Sequence, residues 1–338
     1  MSDRTEEAQN SGRHVVFVHG RGFKASEETC LSLFRRALTH GVDSDSEELG
    51  AALAASGMSL AYYGDLTNDL LRGYGDDYDE HLDVNDLENA LLELGQIDRK
   101  KGFGVKNYDR LPGKSAAREF AVSLFAPIVE SIGLGKKLVA GRHKDLGAYW
   151  EEGNSYREAL LARVRDSICT ALEDNDRVIV VSHGTGSIVT WDALWQLSHE
   201  PAFADRCRNL KVDLWLTLGS PLGDSMVKKQ LKGYGEDGRL RFPTNVIAWH
   251  NVSAEDDYFS HDNTVSDDFS AMLGQRQISS IRDYRIYNLA IRYGRSNPHN
   301  ILGYLIHPRV AKIAGDWLRM VEGRALPKPK TKSETGDD

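Results

Sequence analysis

The chain has 338 residues, 41% of them hydrophobic and 27% charged, with a formal net charge of -8. That is ample for a packed core, and no apolar run reaches the ~20 residues that a membrane-spanning helix needs. The acidic balance and the lack of a basic stripe argue against a nucleic-acid partner, and three cysteines without CxxC spacing read as buried free thiols rather than as a disulfide framework or a zinc ribbon.

Residues 1–12 are polar and lack the apolar core and cleavage site of a signal peptide, so a cytoplasmic location is expected. Together with residues 327–338 they read as disordered tails around one domain spanning 13–326. Within it, residues 14–19 (HVVFVH), 177–181 (RVIVV), 212–218 (VDLWLTL) and 245–249 (NVIAW) are short apolar runs of the kind buried on both faces of a sheet, with 60–63 (LAYY) a weaker strand. Residues 156–173 and 187–198 carry helical apolar spacing between them. Strand and helix in alternation predict an α/β fold with a mostly parallel sheet and helices on both faces.

Residues 65–149 break this rhythm and read as a cap insertion over the sheet's edge. Its acidic opening, GYGDDYDEHLDVND, lacks EF-hand spacing and reads as a solvated loop. Residues 120–139, the most apolar stretch of the chain, read as a packed cap helix. The alternative is contact with a membrane surface through Lys136 and Lys137. Gly113-Lys114-Ser115 lacks the first glycine of a phosphate-binding loop, since Tyr108 stands there.

The segment 177–190, RVIVVSHGTGSIVT, runs from a buried strand through small residues into an apolar helix. That order resembles the nucleophile elbow of α/β-hydrolase-family esterases and lipases, G-x-S-x-G, in which a tight turn exposes the apex at the strand's carboxyl end. The resemblance covers roughly residues 13–65 and 150–320. HVVFVHGRG is similar to the first core strand and His-Gly oxyanion loop, WLTLGSPLG to the strand after the nucleophile helix, VIAWHNVSAEDDYFS to the strand that supplies the acid, and NPHNILGYLIHP to the loop that supplies the histidine.

Carried onto this chain, the resemblance implies an α/β-hydrolase fold and an ester-hydrolysing site. Asp257 is then the acid, with Asp256 and Asp224 as alternatives, and His299 the base, with His307 the more structural candidate. Gly20, Arg21, Thr185 and His183 fall on the oxyanion side and pocket. The departure is at the apex, where Gly184 stands in place of serine. Removing that hydroxyl from a serine hydrolase costs on the order of 10⁶ in turnover, roughly 8 kcal/mol.

Four readings follow. The chain is a non-catalytic binding or scaffold protein, or Ser182, Thr185 or Ser187 attacks from an altered elbow. Alternatively His299 with Asp257 activates water directly, or the chain is a serine-to-glycine variant of an active enzyme. A small acyl ester is the expected ligand, with no cofactor. His261 with Asp256, Asp257 and Asp262 lacks the histidine spacing of a metal site, so no metal is expected.

Overall fold

In a computed structural model, which describes residues 12–113, 144–151, 153–207, 209–260 and 264–320, the apolar runs and one charged segment form a six-stranded, fully parallel sheet in the order β2-β1-β3-β4-β5-β6. The strands are β1 (Arg13–Val18), β2 (Gly57–Ala61), β3 (Arg177–His183), β4 (Val212–Leu218), β5 (Val246–Ala254) and β6 (Ser280–Ile286). Register pairs Val15 with Ile179, Val181 with Leu216, and Leu216 with His250.

Alternate residues of a strand face opposite sides of the sheet, and the core divides accordingly. Phe17, Val181 and Leu216 pack on one face, while Val18, Val180 and Trp215 pack on the other. The first face is covered by α1 (Glu27–Asp43), whose end leads into α2 (Glu47–Ala54). Ser26 and Ser46 cap these helices by accepting Thr29 N–H and Leu49 N–H. After β2 come α3 (Gly64–Gly73) and α4 (Glu80–Gly95). The second face is covered by α5 (Ser155–Asp174) and α6 (Gly186–His199). The last described helices, α7 (Ile301–Leu305) and α8 (Pro308–Leu318), lie on the first face, both against α1. Among the described residues no helix is long and apolar enough to cross a membrane.

Three expectations change. Cys169 on α5 and Cys207, at the end of the helix Pro201–Cys207, are disulfide-bonded, and only Cys30 is a free, buried thiol. Packing of that helix beside α5 brings together two cysteines that the 38-residue separation hides.

The acidic stretch 73–86 is not simply a solvated loop. Asp79 caps α4 by accepting Leu82 N–H, and Asp83 and Asp86 on α4 both bind the half-buried Arg292. Leu91 and Leu94 of the same helix enter the main core. α4 thus packs on α1 and α7.

β6 was hidden because its sequence, SIRDYRI, carries charges, as edge strands do. Residues 120–139, Lys114, Ser115, His261, Asp262, most of the first tail and all of residues 327–338 lie outside the described residues.

Candidate functional site

The sheet delivers four chain segments to its carboxyl edge, where ligands of open parallel sheets bind. β1 ends at the His19–Gly20 loop, β3 at Gly184, β5 shortly before Asp257, and the connection after β6 carries His299.

At the elbow, Gly184 has φ +52°, a left-handed conformation that glycine adopts without strain. Its N–H donates to Leu218 O at 2.9 Å, tying the turn to β4, and α6 starts two residues later. Gly186 must be small for a different reason. A Cβ there would lie 2.3 Å from His19 O, because β1 and the start of α6 nearly touch. Gly20 is similarly close, with its Cβ position 3.0 Å from His183 O.

The acid is selected by backbone conformation. Asp256 has φ +59° and is turned outward, accepting Tyr108 Oη–H at 2.6 Å. Asp257 is turned inward and buried, where its Oδ1 and Oδ2 lie 3.0 and 2.9 Å from His299 Nδ1. Tyr304 Oη–H donates to Asp257 Oδ2 at 2.6 Å and Phe259 N–H to Oδ1 at 3.0 Å. Three donors therefore hold the carboxylate in one orientation. Tyr304 keeps its proton, since burial and the neighbouring Asp257 raise its pKa well above the ordinary value. Asp224 caps the short helix Ser225–Lys228. His307 caps α8 by accepting Arg309 N–H.

His299 is held in place on several sides. Its ring lies between those of His183 and Phe259, with centroids 4.5 and 4.6 Å away. His183 Nε2–H donates to His299 O at 2.8 Å. Asn288, fully buried, donates through Nδ2 to Pro298 O at 2.9 Å and Asn300 O at 2.8 Å, and accepts Ala290 N–H through Oδ1. The two carbonyls flanking His299 thus hang from one amide. With Nδ1–H given to Asp257, the neutral ring carries its acceptor on Nε2, a tautomer assigned from this network.

Nε2 faces the apex. The position of a Cβ on Gly184 is 2.8 Å from it and 3.1 Å from Cε1. Apart from chain neighbours, no other described atom lies within 4 Å of that position. The neighbouring hydroxyls differ from it. Ser182 and Ser187 are fully buried and bonded Oγ to Oγ at 3.1 Å, and Ser182 also accepts Trp215 Nε1–H. Thr185 occupies the N-cap position of α6, with no side-chain hydrogen bond to the helix.

Burial, then the nearby His299, push the His183 pKa well below the ordinary 6.5, so His183 is a neutral donor. His19 is likewise neutral, pushed to about 3 first by burial, and its two nitrogens serve Gly20 O and Tyr63 N–H. That fixes the loop carrying Gly20 and Arg21. The Arg21 guanidinium stacks 4.9 Å from the Phe259 ring centroid and lies 3.9 Å from Asp145. Among the described residues no group of three or more His, Cys, Asp or Glu could hold a metal ion.

No protein-family model, curated protein or solved structure matches the chain. The fold and site define a parallel α/β protein with a histidine–carboxylate pair at the carboxyl edge of its sheet.

Asn288, Tyr304 and Phe259 were not legible as site residues. Each lies in an ordinary apolar or mixed stretch, and only the fold brings it to His299.

Proposed function

We propose that the chain is an α/β-hydrolase-type ester hydrolase in which the His299–Asp257 pair activates water at an apex that lacks a nucleophilic side chain. The observation that carries this reading is the 2.8 Å between His299 Nε2 and the Cβ position of Gly184. A water oxygen there would sit at hydrogen-bond distance from that nitrogen. Asp257 would hold the ring and stabilise the imidazolium formed as Nε2 takes the water proton. The hydroxide would add to the ester carbonyl, and Nε2–H would return the proton to the leaving alkoxide. Gly20, Arg21 and the backbone at Thr185 would border the space where the carbonyl oxygen develops charge. The pairing of Ser182 with Ser187 weighs against a displaced serine nucleophile.

The glycine itself favours a second reading, a binding pocket without turnover. A relaxed apex and a buried, structural Ser182 are what a scaffold would retain.

Hydrolysis of p-nitrophenyl butyrate by the chain, by His299→Ala and by Gly184→Ser separates the two. Water activation gives turnover about 10²–10⁴ above buffer, lost in His299→Ala. Turnover only in Gly184→Ser identifies a disarmed serine site, and no turnover in any form supports the binding pocket.

A further inference from the structure

A concavity lies away from His299, between the loop that follows β4 and the helical turns at 265–274. Its volume is about 280 Å³, near the lower end for small-molecule sites. None of its lining residues belongs to the His299–Asp257 site.

The inner wall is apolar and aromatic. Trp191 of α6, Phe242 and Phe269 are buried there, with Trp191 and Phe269 rings 4.9 Å apart. The rim is cationic. Residues 225–242 hold five basic and two acidic residues, against a net charge of -8 for the chain. Four of the five basic residues line the cavity beside a single acid, Asp268.

Two of these cations are already satisfied. Lys228 pairs with Asp268 at 2.5 Å and Lys232 with Glu200 at 3.2 Å. Lys229 and Arg241 are exposed and have no ion pair among the described residues. Arg241 instead lies over the rings of Tyr234 and Phe242, both of which line the cavity. Gly233 fixes the intervening turn at φ +84°, where a Cβ would meet Trp195 Nε1 at 2.3 Å.

We propose that this cavity binds a small organic anion with an apolar body. The apolar part would pack on Trp191, Phe242 and Phe269, and the anionic head would meet Lys229 and Arg241. A neutral apolar ligand would leave both cations unused, and a bare inorganic anion would leave the aromatic wall unused. The site stands independently of the ester-hydrolysis reading.

Calorimetric titration with naphthalene-2-sulfonate, and with the neutral isostere naphthalene-2-sulfonamide, tests it in near-physiological salt. The sulfonate is expected to bind at least tenfold tighter than the sulfonamide. The double variant Lys229→Gln/Arg241→Gln, which keeps polar surface side chains at both positions, is expected to lose at least tenfold in sulfonate affinity. His299→Ala is expected to bind like the parent chain.

Equal binding of the two probes, undiminished binding by the double variant, or no binding at millimolar sulfonate would each overturn the proposal. So would loss of binding in His299→Ala, because the anion would then belong to the other site. Co-sedimentation with phosphatidylglycerol vesicles without sulfonate binding would make the patch a membrane-facing surface instead.

Discussion

At the scale of single residues, the site depends on how tightly its histidine is fixed. Tyr304 links the acid to the sheet, donating to Asp257 and accepting Ala254 N–H at 2.9 Å. Tyr304→Phe leaves that buried N–H unpaired and removes one of the carboxylate's donors. A loss of about 1–3 kcal/mol in urea-unfolding free energy is expected, and an unchanged stability would show that the hydroxyl holds nothing. At Gly184, any side chain adopts an unfavourable positive φ and meets His299 Nε2 at 2.8 Å. Gly184→Ser should therefore cost about 1–3 kcal/mol from the backbone alone, measured by the same unfolding curve. A more stable Gly184→Ser would mean that the apex relaxes differently.

At the scale of elements, the loop bearing His299 is positioned by contacts distant in sequence. Asn288 holds both flanking carbonyls, so Asn288→Ala should lower kcat on p-nitrophenyl butyrate more than it raises KM. Equal loss in both would mark a general loosening instead. The insertion is anchored comparably by Arg292, which sits between Asp83 and Asp86 of α4. Arg292→Met leaves two half-buried carboxylates together, and a loss of about 3 kcal/mol by urea unfolding is expected.

Much of this element layer could be read in advance. Four buried strands and the elbow announce themselves because parallel strands covered on both faces are continuously apolar. The far half of β5 does not, since His250, Asn251 and Ser253 are polar. It forms because buried partners exist for them, such as Thr217 Oγ1–H donating to Asn251 Oδ1 at 2.8 Å. In the sequence, the choice of Asp257 over Asp256 rests only on the resemblance of its segment to an acid-bearing loop. The structure adds the positive φ of Asp256, which turns the two carboxylates opposite ways.

At the scale of the whole molecule, buried neutral histidines couple stability to pH. Burial is the first cause that pushes His19 and His307 to about 3 and His183 well below 6.5. In the unfolded chain each returns to about 6.5. Below that pH the unfolded state binds more protons than the folded one, so stability is full above about 6.5 and falls with pH toward the folded values. Each such histidine contributes a slope of about 1.4 kcal/mol per pH unit within its window. Urea midpoints should fall from pH 7 to pH 5, and His19→Asn should flatten the fall. A flat profile in the parent chain would contradict the neutral burial of these rings.

The central claim is that chemistry at this site passes through water and not through a side chain of the elbow. It is tested most directly by recording the intact mass of the protein during steady-state hydrolysis of p-nitrophenyl butyrate, alongside His299→Ala. Hydrolysis with the protein mass unchanged, and its loss in His299→Ala, is the expected result. A butyryl adduct accumulating on the chain, or hydrolysis that survives His299→Ala, would contradict it.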